Sequence, residues 1–510
     1  MGASCYFCGM FVRKKKNRSG SVSIQIVEKI NRSNKVLKTI GSSTDPEEIE
    51  RLCQKALYEM PRLYGATLFD EIHEPKISEL SNDSIQVVGP VLVFGAIYDK
   101  VGFNTIKEPL LKDLVISRIT HPGSKLKLSG YLKDTGKADI SVYSIYRFLD
   151  KLNNKLKTDV EDISFRHTKK LLKGKIGVVF YDMTTIYFES SQPDDLRIAG
   201  FSKEGKHQNP QILLGLLVGK NGYPIGYEIF EGNTFEGHTL IPVLERFAVR
   251  FGLKKPIVVA DAGLLTKNNI ASLCENGYQF ILGARIKNES RKVIETIESL
   301  VLSDGQRKLI KKNDGTKLHI SYLARRAEKD RFNRERGLKR LEKSLSAGRL
   351  TKSNINNRGY NKYLHMDGEI TIRIDYTKFE KDAKWDGLKG YLTNTNLSSQ
   401  EIIENYNNLW KIERAFRISK TDLKIRPIYH RLRDRIEAHI CISFVSYVIY
   451  KELERVLKEH HLAISMEKAI EQINKMYEVV TQNKSGHTQT FRLKNNQIQQ
   501  DIFNMISIEF

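Results

Sequence analysis

The chain has 510 residues, of which 40% are hydrophobic and 9% aromatic, so disorder is not expected and the length exceeds one core, suggesting roughly two to four domains. Lysine and arginine number 83 against 60 acidic residues, a net charge of +23 that suits a polyanionic partner. Five cysteines in 510 residues do not make a disulfide scaffold, and the most apolar run, residues 85–98, is interrupted by Gly89, Pro90 and Gly95 and is too short to span a bilayer.

These features predict a soluble, intracellular protein with no membrane partner. No signal peptide is read at the start of the chain, where Arg13-Lys14-Lys15-Lys16 soon follows. Cys5 and Cys8 form a C-x-x-C pair, but no second pair accompanies them, so a structural zinc site is not expected.

In chain order, residues 20–44 alternate apolar and polar around Asn31-Arg32-Ser33-Asn34, the pattern of a β-hairpin. Thr44-Asp45-Pro46-Glu47-Glu48 then offers a cap, an N1 proline and first-turn acids for a helix to about Leu63. Residues 84–152 read as short helices, including one after a Ser141 cap. Around His121-Pro122-Gly123-Ser124 they fit either a helix-turn-helix-like DNA reader or a plain bundle.

From Lys175 the period changes. Strands are expected at 176–182, 211–218, 223–230, 256–261 and 278–283, with helices at 239–252 and 267–276. The order β-β-β-α-β-α-β implies an α/β fold with a mixed sheet and ligands at carboxyl ends of strands. Arg325 to Lys343 is a helix-like run of nine basic and four acidic residues, and strands follow at 370–376 and 388–392, which marks an insertion. Ser398-Ser399-Gln400-Glu401 matches a capping box and opens one helix that carries Glu413. An amphipathic helix spans 439–453, and the last thirty residues are polar and give no pattern.

Three acids stand out. Asp182 and Asp261 each end an apolar β-branched run, and Glu413 sits mid-helix in a basic segment. At 100° per residue Ile402, Tyr406, Leu409, Glu413, Arg417 and Lys420 share one helix face. Each acid alone has a plain alternative: Glu413 as an i,i+4 partner of Arg417, Asp261-Ala262-Gly263 as a turn, Asp182 as a cap through Thr184. Together they form a carboxylate set for a pair of hard divalent cations, Mg²⁺ or Mn²⁺, acting on phosphodiesters. Lys411 to Arg435 carries nine basic residues against three acids, enough to follow a phosphate backbone. Trp410 is either a stacking platform for a lifted base or a core residue.

Tyr406-x2-Leu409-x3-Glu413-x6-Lys420 resembles the Tyr-x2-Arg-x3-Glu-x6-Lys signature of bacterial insertion-sequence transposases of family four, in the Asp-Asp-Glu superfamily. Tyr181-Asp182-Met183-Thr184-Thr185, residues 200–205, Gly232-Asn233-Thr234, Ala260-Asp261-Ala262-Gly263-Leu264 and the run from Lys420 to His430 resemble the same family in order and spacing. The departure is Leu409, where the signature has arginine; Arg414 or Arg417 would then make that phosphate contact.

The resemblance implies an RNase H-like core with a β-containing insertion before the acidic helix. It implies Asp182, Asp261 and Glu413 as catalytic metal ligands for two ions, and Tyr406, Trp410, Arg414, Arg417 and Lys420 as DNA contacts, with Trp385 a second candidate for base stacking. Implied partners are double-stranded DNA, as transposon ends and target, and a second copy in a synaptic homodimer. The implied location is the bacterial cytoplasm, at the nucleoid. Expected divisions are 1–80, a hairpin and helix; 81–170, helical and DNA-end-binding; 171–285, first part of the core; 286–395, the insertion; 396–455, the acidic helix and its successor; and 456–510, for dimerisation. Competing readings are a nuclease without strand transfer and a transposase-derived DNA-binding protein without catalysis. A phosphatase with a strand-terminal Asp-x-Asp is disfavoured because position 184 is threonine.

Overall fold

The computed structural model describes residues 10–509 apart from 31–32, 61–83, 135–139, 190–191, 203–204, 253, 265, 357–358, 368–370 and 483–487. The Cys5–Cys8 pair, residues 31–32 of the expected turn and residues 203–204 of the 200–205 segment lie outside the described residues. Two compact units emerge, residues 1–87 with 477–494, and residues 88–476 with 495–510.

The first unit opens with an antiparallel sheet of β1 (Met10–Lys16), β2 (Val22–Ile30) and β3 (Ser33–Ser43), covered by α1 (Pro46–Glu59). The expected hairpin is β2–β3. The basic run Arg13–Lys16 adds β1 as a third strand, because Met10 pairs into a small core with Ile24, Ile26, Cys53 and Ala56. Asp45 starts α1 by accepting the Glu47 N–H at 3.1 Å, with proline in the first turn. The short strand β4 (Ile85–Val87) closes this stretch.

The second unit begins with α2 (Gly89–Val101), α3 (Pro109–Thr120), α4 (Lys125–Asp134), α5 (Val142–Lys151) and α6 (Lys157–Leu171). The strands β5 (Val178–Tyr187), β6 (Ile198–Ala199), β7 (Pro210–Val218) and β8 (Pro224–Glu231) follow, then α7 (Leu240–Phe251), β9 (Ile257–Ala260), α8 (Lys267–Glu275) and β10 (Phe280–Ala284). Next come α9 (Arg291–Glu298), β11 (Arg307–Lys311), β12 (Lys317–Tyr322), α10 (Ala324–Ser346), β13 (Leu364–Asp367), β14 (Thr371–Ile374), α11 (Tyr376–Asp382) and β15 (Leu388–Thr393). The chain continues with α12 (Ser399–Asn407), α13 (Trp410–Arg417), α14 (Arg433–Glu459) and α15 (Met466–Ile473). The hairpin β16 (Tyr477–Gln482) and β17 (Thr488–Arg492) returns to the first unit, where β16 pairs with β4, and α16 (Gln497–Glu509) ends the second unit. The last thirty residues therefore hold regular structure that their polar composition did not announce.

In the large sheet β8, β7 and β5 form an antiparallel meander, and β9 and β10 add parallel to the other edge of β5. The order β8-β7-β5-β9-β10, with α7 and α8 as crossovers, is that of an RNase H-like core. The sheet then extends through β15, β12 and β11, so strands of the insertion continue the core sheet. The rest of the insertion packs α10 against β13, β14 and α11 around Leu341, Tyr363, Leu364 and Ile374.

The core strands are buried on both faces, and their alternation divides them between two cores. Phe180, Val259, Ile281 and Tyr391 face a core with α12, α13 and α14, whereas Val179, Val258, Phe280 and Leu392 face α7 and α8. Against α14 pack α2, α3, α5 and α6, which is the bundle arrangement for residues 84–152. Helix α3 buries Leu111, Leu114, Val115, Ile116, Ser117, Arg118 and Ile119, whereas α4, after the His121–Ser124 turn, buries Leu128 and Leu132 and exposes Leu126 and Lys127. No described helix is long and apolar enough to cross a membrane.

Candidate active site

The side-chain period of two along the strands decides where the predicted acids point. Asp182 has the parity of Phe180, and Asp261 that of Val259, so both lie on the sheet face covered by α12 and α13. The parallel register runs Val178–Ile257 to Tyr181–Ala260, which sets Asp182 and Asp261 side by side where β9 stops. Glu413 is exposed in the first turn of α13, and α13 packs over β5. Three elements thus bring the three predicted acids to one side of one sheet.

Two details differ from the sequence reading. Asp182 lies within β5 and not at its end, because Thr184, Thr185 and Ile186 keep pairing with β7 after β9 has ended. The helix opened by the Ser398–Glu401 capping box also does not run on to Lys420. It stops at Asn407, restarts at Trp410, and passes into a π turn at Ile418–Asp422 that holds Lys420. At the break Asn408, Leu409, Lys411 and Ile412 donate to carbonyls three residues back, a tight winding that changes the helix phase. Asn405 and Asn408 side chains bond Glu401 and Glu404 carbonyls, competing with the regular ladder. Ile402, Tyr406 and Leu409 are consequently buried, whereas Glu413 and Arg417 are exposed, so the expected single face does not exist.

Tyr406 is the hinge of the arrangement. Its hydroxyl donates to Asp261 Oδ1 at 3.1 Å, and its ring meets Tyr391 edge-on at 5.0 Å. Asp261 Oδ1 also accepts the Ala262 N–H at 2.7 Å. Burial, with Asp261 and Glu413 nearby, raises the Tyr406 phenol well above its ordinary value, so it remains a donor. Gly283, on the same face of β10, lets the phenol in: a Cβ there would sit 2.3 Å from the Tyr406 oxygen. Gly283→Ala is expected to push Tyr406 off Asp261 and to cost about 1 kcal/mol of stability, read as a lower midpoint in urea unfolding. An unchanged midpoint would show that the strand accommodates the methyl group without displacing Tyr406.

Lys389 was not anticipated. It shares the parity of Tyr391 on β15 and holds its ammonium 4.4 Å from the Tyr406 ring centroid. Burial and Arg326 pull its pKa down, and Asp261 and Glu413 push it up, so both carboxylates act on this one cation. The alternation Leu388-Lys389-Gly390-Tyr391-Leu392 was the available signal.

Asp261, Tyr406, Lys389 and Trp385 line a cavity of about 590 Å³ between the sheet and the insertion. Its walls carry Arg326 and Arg334 of α10, the latter paired with Asp386 at 2.9 Å. Trp410 and Arg414 line a different cavity, about 370 Å³, with Lys411, Tyr223 and Lys451. There Trp410 is 52% exposed, and Arg414 is ion-paired to Glu454. Arg417 is exposed and acts on Asp422.

All three candidate ligands are carboxylates, a hard oxygen set that suits divalent magnesium or manganese. Among the described residues no three acids, histidines or cysteines are gathered as a ready-made metal cage. The chemistry of the donors fits such ions.

The family model described as the transposase DDE domain matches residues 173–449, which contain Asp182, Asp261 and Glu413. No curated protein matches the chain. Among solved structures, a piggyBac transposase synaptic complex with hairpin DNA is similar at 8% identity and a TM-score of 0.39, covering 76% of this chain and 78% of that one. With more than half of its length matched, the chain belongs to the DDE transposase family.

Proposed function

We propose that the chain is the transposase of an insertion sequence. It binds the terminal inverted repeats, cleaves DNA at the element's ends to free a 3′-hydroxyl, and joins that hydroxyl to target DNA. The observation that supports this reading most is the convergence of Asp182, Asp261 and Glu413 from β5, β9 and α13 on one sheet face. In the proposal these three residues are catalytic and hold two divalent ions, which polarise the scissile phosphate and the attacking oxygen when bound. Tyr406 orients Asp261, and Trp410, Arg414, Arg417 and Lys420 contact DNA along a basic segment. Residues 81–170 bind the element's end, 286–395 form an insertion over the substrate, and 456–510 contribute to a homodimer that holds two ends.

Lys389 enters the proposal as a phosphate contact beside Tyr406, next to a signature that carries leucine at position 409. Lys389→Met is expected to reduce cleavage roughly tenfold and to leave the melting temperature nearly unchanged. Full activity would remove the residue from the site.

The test is purified protein, Mg²⁺ and DNA bearing the element's end. Asp182→Ala, Asp261→Ala and Glu413→Ala should each abolish cleavage and retain end binding. Joined products with a supplied target distinguish a transposase from a nuclease that only cuts. Any of the three acids that can be removed with cleavage intact does not belong to the site.

A further inference from the structure

Away from the carboxylates, the second unit buries four basic side chains together. Arg118 on α3 and Lys125 on α4 are each 5% exposed, His430 is 8% exposed, and His439 on α14 is 4% exposed. Arg118 donates to the Lys424 carbonyl at 3.2 Å and lies 3.4 Å from His439 Nδ1. His439 Nε2 donates to the Ile425 carbonyl at 2.8 Å, which leaves Nδ1 as the acceptor that steers the guanidinium. His430 meets His439 at 5.6 Å and Tyr146 at 5.9 Å, ring to ring.

No carboxylate balances this group among the described residues. Asp150, which acts on His430, is already held by Arg435 through bonds of 2.8 and 2.9 Å. Lys125 has neither a side-chain hydrogen bond nor an ion pair among the described residues. Burial and the neighbouring Arg118 depress its pKa strongly, and burial with Lys125 and Arg118 pulls His430 down to about 4, so that imidazole is neutral near pH 7. A buried ammonium without a partner is costly: it either gives up its proton or gains an anion that holds it charged. Leu126 and Tyr429, the sequence neighbours of Lys125 and His430, are 70% and 69% exposed.

We propose that Arg118, Lys125 and His430 form a phosphate-binding site, with His439 orienting Arg118. Arg118 supplies charge, the Lys125 amine takes up a proton as the anion arrives, and neutral His430 supplies a ring N–H. The phosphate is either one from a DNA backbone or a free ion. The DNA source rests on the transposase reading, whereas binding of the free ion does not.

The experiment is a thermal melt of the full chain in inorganic phosphate against chloride at equal ionic strength, with duplex binding measured across salt. Phosphate should raise the wild-type melting temperature by roughly 2–4 °C. Lys125→Met should lose that increment and melt no lower than wild type in chloride, because it removes a buried amine that has no partner among the described residues. If the phosphate comes from DNA, Lys125→Met also loses roughly tenfold in duplex affinity and about one unit of salt slope. Unchanged duplex binding with the melting increment lost assigns the site to the free ion. A wild type that binds no duplex yet is shifted by phosphate refutes the DNA reading and keeps the site. A wild-type melt unmoved by phosphate, or a shift that survives in Lys125→Met, overturns the site; Lys125→Gln serves the same comparison if the methionine variant does not fold.

Discussion

Asp261→Asn is expected to lower DNA strand cleavage by about 10³-fold and to leave the protein folded and bound to its DNA. The change is isosteric. The amide oxygen of asparagine still accepts from the Ala262 N–H and the Tyr406 hydroxyl, the two donors that now converge on Asp261 Oδ1. What disappears is the negative charge at the end of β9, beside Asp182 and in electrostatic reach of Lys389. A neutral amide is a poor ligand for a hard divalent ion, so the loss falls on catalysis. DNA binding should stay level or tighten slightly, because one charge that repels phosphate is gone. Cleavage assays and duplex titrations on the same preparation separate the two effects. Retained cleavage would exclude Asp261 from the catalytic set, and lost binding would mean that its role is structural.

Leu409→Arg, which installs the residue of the family signature, is expected to destabilise the protein by about 3 kcal/mol or more. Leu409 is only 6% exposed, in one core with Ile402, Tyr406, Ile412 and Phe416. It sits at the junction of α12 and α13, where the tight backbone winding turns its side chain inward. A guanidinium there would lose a leucine's packing and bury a charge. The lower midpoint should appear in urea unfolding at an unchanged slope, and cleavage should not increase. A stable, more active Leu409→Arg protein would mean that position 409 reaches the DNA, and Arg414 and Arg417 would not be needed for that contact.

Much of the fold was readable because local chemistry and tertiary burial agree. The core strands β5, β7, β9 and β10 are largely apolar because they are covered on both faces, and the Ser398–Glu401 box starts its helix as read. Each of the three acids has a plain structural alternative when taken alone, and they stood out only as a set on strand, strand and helix. Long-range pairing was not readable. Whether Thr184–Tyr187 continue β5 depends on β7, and nothing near Arg307 or Lys317 states that these strands join the core sheet through β15. The break at Asn408 escaped because helical periodicity assumes a uniform winding, and a few three-residue bonds change the phase. Lys389 escaped because its significance comes from Tyr406, which is close only in space.

The extension of the core sheet has a mechanical consequence. Helix α10 and its small core lie between β12 and β15, and β15 is laddered to β10, which is laddered to β9. The strand that delivers Asp261 is therefore two ladders from the insertion, with no slack tether between them. A force applied to the basic helix arrives at Asp261 as shear on backbone hydrogen bonds, which are stiff in that direction. A shift of the insertion would thus be passed to Asp261 through hydrogen-bonded strands, as a lever passes motion to its fulcrum.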